Sequence, residues 1–431
     1  MIRRRMFAVL LCVLLAGCSA PVVQTAAAGA SATTALPQSI GLPTAQATSI
    51  ATPQPTVAAL QAEELSAGGG QAAEASPVEV SLMAVGDIMF HGAQITAAYD
   101  AKTKTWAFDD SFRYVKHILS SADLTLGNFE CTMAGPKKPW SQPMSFNVPD
   151  SAANALSAAG FDVLATANNH TNDRGRDGLI RTVETIRAQG MTAVGTRRSV
   201  DEKPYAIVDV KGIKVGVTSY AWGSRNGDLL NLYPTDAAKA KPLFAKTVKD
   251  MKADGADIVL FYIHWGAEYQ RAPNASQKKL AQALADVGVD IVCGSHPHVL
   301  QSVSALTGSG GNKTVVAWSL GDFLSNQITR WDPKMFKYTE DEMILNLKLR
   351  KADGKTTVTA VQYLPVWNMY TKVKGKARYN IVPIEKALKN SEAFGLPGAY
   401  ERKKAAQALA NTDTLLRDAL NSGVVTKLML P

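Results

Sequence analysis

Helix-strand alternation, two glycine-centred hairpin signals and polar clusters at the ends of apolar strands predict an α/β fold with mixed sheets for most of this 431-residue chain. Pure parallel sheets are excluded, because hairpins require antiparallel neighbours. The chain divides into four segments: residues 1–17, 18–78, 79–385 and 386–431.

The first segment, within MIRRRMFAVLLCVLLAGCSA, has three arginines, an apolar run and small residues closing on Cys18, the pattern of an export signal peptide. The apolar run is shorter than the roughly 20 residues that span a bilayer. LAGC resembles the lipobox of bacterial lipoproteins, which implies cleavage and lipidation at Cys18; the alternative is an ordinary cleaved signal with an incidental cysteine. From Ser19 to Pro77 the chain is rich in Ala, Thr, Ser, Gln, Gly and Pro and has no lysine or arginine. Such a composition cannot bury enough apolar surface to order itself, so it is expected to be a disordered tether reaching on the order of 45 Å.

In the body, Val78 to Val85 alternates and is β-branched, which predicts a strand ending at Gly86-Asp87. Three helix-strand units follow: Phe112 to Ser121 before LTLGNFE, Ser151 to Ala159 before FDVLATANNH, and Gly178 to Gln189 before MTAVGT. YAIVDVKGIKVGVTSY predicts a hairpin turning at Lys211-Gly212, where glycine suits positive φ. Two further units run from Leu243 through ADIVLFYIHWG and from Ser276 through VDIVCGSHPHV. TVVAWSLGDF predicts a strand closing on Gly321-Asp322, and EMILNLKLRKADGKTTVTAVQYLPV a hairpin around Asp353-Gly354. The segment from about Glu385 is Ala/Leu-rich and expected to be helical.

Formal net charge is +9, and the body from residue 80 carries +10 once Arg3, Arg4, Arg5 and the four glutamates before residue 80 are set aside. A basic surface favours anionic partners such as phosphates, acidic polymers and lipid headgroups. No arginine-rich helix, zinc-finger spacing or aromatic-basic interleaving points to nucleic acid. Cys131 and Cys293 remain in the body, either paired or simply buried.

Five of the six histidines stand in short clusters after predicted strands: VGDIMFHG with Asp87 and His91, TANNHTNDRG with Asn169 and His170, YIHWGAEY with His264, and GSHPHVLQ with His296 and His298. Imidazole, carboxylate and amide oxygens are ligands of borderline divalent cations, so a metal site is expected where the strand ends meet.

With GDIMFHG, GNFE, FDVLATANNHTNDRG, IHWGAEYQ, GSHPHVLQ and SLGDFLSN in order, the chain resembles the CapA family of poly-gamma-glutamate capsule synthesis proteins, within the calcineurin-like metallophosphoesterase superfamily. The resemblance implies a four-layer metallophosphatase-like sandwich, two mixed β-sheets flanked by helices, with one or two divalent ions (Mn, Fe, Zn or Mg) at the strand ends. It implies Asp87, Asn169, His264, His296 and His298 as metal ligands and His170 as general acid. The chain also departs from the superfamily pattern. His91 follows Asp87 by four where Asp-x-His is usual, leaving it either a ligand or a pocket residue. Gly127 is followed by Asn128 where a bridging aspartate is usual, and Glu130 is the candidate for that role. Thr171 follows His170 where an acid is common, so Asp173 is the candidate for orienting the imidazole. Asp322 is expected to be structural.

Two functions follow from these expectations. One is an extracytoplasmic, membrane-anchored lipoprotein of the bacterial envelope that handles an anionic polymer in capsule synthesis or export, alongside polymer synthase or export subunits. The other is an exported metal-dependent phosphoesterase acting on an envelope phosphoester. A binding lipoprotein with a vestigial site is a third, weakened by retention of the full residue set.

Overall fold

The computed structural model describes residues 76–430 except 143, 224 and 397; the signal, Cys18 and all but the end of the tether lie outside the described residues. Alternation along the strand Val78–Ile88 sets the layering. Leu82 and Ala84 face one way and pack with Leu124 and Leu126 of the same sheet and with Val215, Leu260 and Ile291 of a second sheet. Met83 and Val85 face the other way, onto Ile118, Leu156, Val183 and Ile186 of the covering helices. On the far side Val259, Phe261 and Ile263 meet Phe244, Met251, Leu280 and Leu284 of the helices Ala237–Ala253 and Ala275–Asp286. The result is helix, sheet, sheet, helix.

The first sheet has nine strands, with the main order Lys376–Pro383, Lys355–Val373, Asp341–Ala352, Val78–Ile88, Leu124–Phe129, Val163–Ala165, Thr192–Val194. Its hairpin side is antiparallel and the rest parallel. The second has seven, with Ile213–Trp222, Ile258–His264, Ile291–Ser295 and Lys313–Ala317 parallel at the centre and antiparallel strands at both edges. Central strands are covered on both faces, hence the unbroken apolar runs.

Several elements differ from the sequence expectation. Val78–Ile88 runs past Gly86 through a bulge, its partners stepping from Val85↔Gly127 to Asp87↔Asn128. TVVAWSLGDF is not one strand. Lys313–Ala317 ends in the second sheet, and the chain crosses to pair Asp322–Leu324 with Val78–Ile88 in the first. The crossing depends on Gly86, where a Cβ would lie 2.0 Å from Gly321 O; without one, Asp87 N–H bonds that oxygen at 2.8 Å. Phe112 to Ser121 holds only a 3-10 turn ending at Phe112 and one helical turn, Lys116–Leu119, which still bury Phe112, Val115, Ile118 and Leu119. Lys211-Gly212 turns the expected hairpin with both residues at positive φ, 53° and 87°. Cys131 and Cys293 are both free and buried.

The C-terminal residues dock on the first sheet. Leu396, Ala405 and Ala408 cover Trp367, Met369, Val382 and Ile384, while Leu416, Ala419 and Val425 close the end of the inter-sheet core. Among the described residues no helix is long and apolar enough to cross a membrane.

Candidate functional site

Carboxyl ends of strands from both sheets converge on one buried polar cluster. Asp87 sits in the bulged end of Val78–Ile88, Glu130 just beyond Leu124–Phe129, and Asn169 and His170 after Val163–Ala165. From the second sheet come His264, the last residue of its strand, and His296 and His298 after Ile291–Ser295. Both His296 (φ 94°) and His298 (φ 55°) adopt left-handed backbone on either side of Pro297. Non-glycine residues rarely take that conformation, and it turns two imidazoles from one short loop toward the same point.

Hydrogen bonds fix how each group is presented. Asn128 donates from Nδ2 to Asp87 Oδ1 at 2.8 Å and to Glu130 Oε2 at 3.1 Å, so the amide that replaces the expected aspartate aligns two carboxylates. His298 donates from Nδ1 to Asp322 Oδ1 at 2.9 Å, with Asp87 Oδ2 at 3.2 Å, which leaves Nε2 toward Glu130 Oε1 at 3.8 Å. His264 Nδ1 lies 2.9 Å from Ser295 Oγ, while Nε2 lies 3.1 Å from Asn169 Oδ1 and 3.7 Å from Glu130 Oε1. His296 donates its backbone N–H to Asp87 Oδ2 at 3.1 Å. His170 Nδ1 and Asp173 Oδ2 are 2.9 Å apart, and Asp173 is held by Phe146 N–H at 2.6 Å.

The electrostatics ask for a cation. Asp87, Glu130, Asp322 and Glu342 are fully buried, and among the described residues no lysine or arginine is buried. Burial, then Asp87, pushes Glu130 well above the ordinary carboxylate range; burial, then Asp322, does the same to Glu342. Burial and His296 hold His264 neutral far below its usual range, and burial with His298 brings His296 down to about 4. For His298 burial opposes charge, but Asp322 and Glu130 outweigh it and raise its proton affinity.

The residues present fit a divalent ion. Glu130 Oε1 and His296 Nδ1 are buried with no hydrogen-bond partner, a costly arrangement unless something else satisfies them. Glu130 Oε1 is too far from the two Nε2 atoms to bond them, yet its separations match the roughly 3.4 Å between ligands about 2.1 Å from one ion. The groupings Glu130–His296–His298 and Asp87–Glu130–His264 could each hold an ion, and Glu130 is common to both. A third grouping, Asp87–His298–Asp322, is accounted for by the Nδ1 hydrogen bonds of His298.

Not every sequence candidate joins the cluster. His91 starts the helix Gly92–Ala98 on a half-buried ring outside these groupings, its pKa pushed down to about 4 by desolvation. Trp265, which follows His264, packs in the core and is no part of the cluster, its Nε1–H donating to Trp318 O at 2.8 Å. Two contributors were not expected in the site. Asp322, expected to be structural, reaches His298 because the chain crosses between sheets. Trp222, at the end of its strand, stacks on His264 at 5.5 Å between ring centroids and meets His296 edge-on at 4.6 Å. A cavity of about 470 Å³, lined by Asn169, Asn172, Asp173, Trp222 and Arg225, opens beside the cluster.

Comparison with known proteins bears on this arrangement directly. The family model described as bacterial capsule synthesis protein PGA_cap matches residues 81–327. The chain is 30% identical over 283 residues to the PGA biosynthesis protein CapA of Bacillus subtilis, covering 64% of this chain and 70% of that protein. It is 31% identical over 260 residues to the capsule biosynthesis protein CapA of Bacillus anthracis, covering 58% and 60%. A Mycobacterium tuberculosis protein named as a probable polyglutamine synthesis accessory protein is 26% identical over 209 residues, covering 45% and 54%. The matched span opens inside the strand that carries Asp87 and closes just after the strand that carries Asp322, so it encloses the whole buried cluster. The chain belongs to the bacterial capsule synthesis protein PGA_cap family.

Proposed function

We propose that this chain is an envelope-anchored accessory protein of poly-gamma-glutamate capsule synthesis or export, working beside synthase components, and that its buried cluster binds divalent metal. The observation that carries the metal is Glu130 Oε1, sealed from solvent, without a partner, and equidistant from two imidazole nitrogens. One ion position would use Glu130, His296 and His298; the other would use Asp87, Glu130 and His264, with Asn169 Oδ1 beside His264 Nε2 at 3.1 Å. Bound there, metal would supply Lewis acidity toward an anionic oxygen. Imidazoles and carboxylates with no thiolate suit Mn, Fe, Zn or Mg.

A second reading, phosphoester hydrolysis, is favoured by the His170–Asp173 pair. Asp173 holds the imidazole by one nitrogen, leaving the other to protonate a leaving oxygen. One set of proteins separates the readings. Parent protein should contain metal and His298→Ala should lose most of it; equal content in both removes the metal site. His170→Asn should keep metal but slow a poor-leaving-group phosphoester by roughly 10²- to 10⁴-fold, and a nitrophenyl ester less. No turnover by metal-loaded parent on either ester leaves the polymer-handling role, with His170 a donor to a bound carboxylate.

Anchoring through Cys18 belongs to this reading, supported by LAGC and the uncharged-to-acidic tether composition. Cys18→Ala should move the protein out of the salt-washed membrane fraction or block its processing. Processed Cys18→Ala protein that still sediments with washed membranes rules the anchor out.

A further inference from the structure

We infer that His91 donates a hydrogen bond from Nε2 to an oxyanion bound at the cluster, and is not itself a metal ligand. The inference rests on the metal reading above and settles which side of the site His91 serves. The backbone N–H of Asn326 points at His91 Nδ1 from 3.2 Å. An amide N–H can only donate, so Nδ1 must be the bare nitrogen and Nε2 must carry the proton. Gln94 Oε1, also 3.2 Å from Nδ1, is the competing contact, but it is already satisfied by the backbone N–H of His91 at 2.8 Å, whereas the Asn326 N–H has no other acceptor among the described residues. A protonated Nδ1 would set two donors face to face.

This is the opposite of the pattern at His298. There Nδ1–H is spent on Asp322, and Nε2 is the nitrogen turned toward Glu130 Oε1 at 3.8 Å, where a metal ligand would use it. His91 Nε2–H has no protein partner among the described residues, the residue is half-buried, and Nε2 is not among the sealed unpartnered atoms, so the proton is available to something that enters the site. The rings of His91 and His170 both pack edge-on against Phe146, at 5.0 and 4.5 Å between centroids. Phe146 therefore spaces two imidazoles, one beside Asp173 and one held by Asn326, with His91 in electrostatic reach of His298 and His170. Such a pair suits the oxygens of a phosphoryl or carboxylate group whose remaining charge faces the cation.

The test uses the parent, His91→Ala and His91→Gln, whose amide nitrogen can reach the position of Nε2. Metal content is measured by elemental analysis, and binding of inorganic phosphate and of a short γ-linked glutamate oligomer by calorimetry. All three proteins should carry the same metal. His91→Ala should bind whichever anion the parent prefers roughly tenfold more weakly, with partial recovery in His91→Gln. Metal loss in His91→Ala matching that in His298→Ala overturns the inference, as does unchanged affinity for both anions. A parent protein without metal defeats the reading of the cluster instead, and the anion titrations of the three proteins still decide the role of His91.

Discussion

Glu342 is fully buried, and neither of its carboxylate oxygens finds a hydrogen-bond partner. Burial, with Asp322 and Asp341 nearby, raises its pKa well above the usual range, so the folded protein holds this proton at pH values where the unfolded chain has released it. Where the native state binds more protons, stability falls as pH rises. The loss begins at the unfolded value near 4.5 and continues up to the raised folded one. Glu342→Gln lacks that term, so metal-free variant should gain on metal-free parent by up to about 1.4 kcal/mol per pH unit above 4.5. Urea unfolding of both proteins between pH 5 and 8 measures the difference; a constant gap across that range contradicts it. Single residues of this kind were the least legible in the sequence. The histidines and Asp87 stood out because their chemistry and strand-end positions coincide. Glu342 did not, because a glutamate inside EMILNLKL looks like the polar face of an edge strand until both faces are seen to be covered. Asn128 looked like a loss of the bridging carboxylate, whereas its amide donates to two carboxylates where an aspartate would add a third negative charge.

Elements were more legible than residues wherever local sequence decides them. The helix Ser151–Ala159 has the expected bounds, closing on Gly160 at φ 100°, and both expected hairpins turn at their predicted residue pairs. The turn chemistry at Lys211-Gly212 and Asp353-Gly354 is contained within a few residues, so no distant contact was needed to read it. Failures occurred where a long-range approach governs the backbone. TVVAWSLGDF has the composition of one strand, but a strand cannot pair in two sheets. The chain leaves the second sheet after Ala317, passes under Gly86, and re-forms as Asp322–Leu324 beside Asp87. That break carries a consequence for the site, since it delivers Asp322 to His298. A third hairpin, turning at Lys374 and Gly375 with both at positive φ, joins the two last long strands through the same Lys-Gly pair that turns the Lys211-Gly212 hairpin.

At the scale of the molecule, the family span and the folding unit do not coincide. Residues 81–327 hold every proposed ligand, yet the strand bearing Asp87 pairs along most of its length with Asp341–Ala352, which lies outside that span. The C-terminal helix Ala399–Leu415 extends the dependence further. Asn411 donates from its amide to Asp341 Oδ2 at 2.8 Å and accepts from Arg271 Nη2 at its backbone oxygen at 3.1 Å. Arg271 is in the loop after His264, where Tyr269 N–H bonds Pro297 O at 2.7 Å between the closing histidines. The C-terminal helix is thus tied to the loops that present His264, His296 and His298. Ending the chain at Lys389 would uncover Trp367, Met369, Val382 and Ile384 and open the inter-sheet core at Leu416 and Val425. Each large side chain exposed costs about 1.5–3 kcal/mol against a typical total stability of 5–15 kcal/mol. A protein spanning 76–389 should therefore lose cooperative unfolding, or unfold well below the 76–430 protein, and any that stays soluble should bind metal more weakly. Thermal unfolding followed by circular dichroism, with and without added manganese, compares the two. An equal midpoint and an equal manganese-dependent shift in both proteins would mean that the C-terminal segment is an appendage and that the site is organised without it.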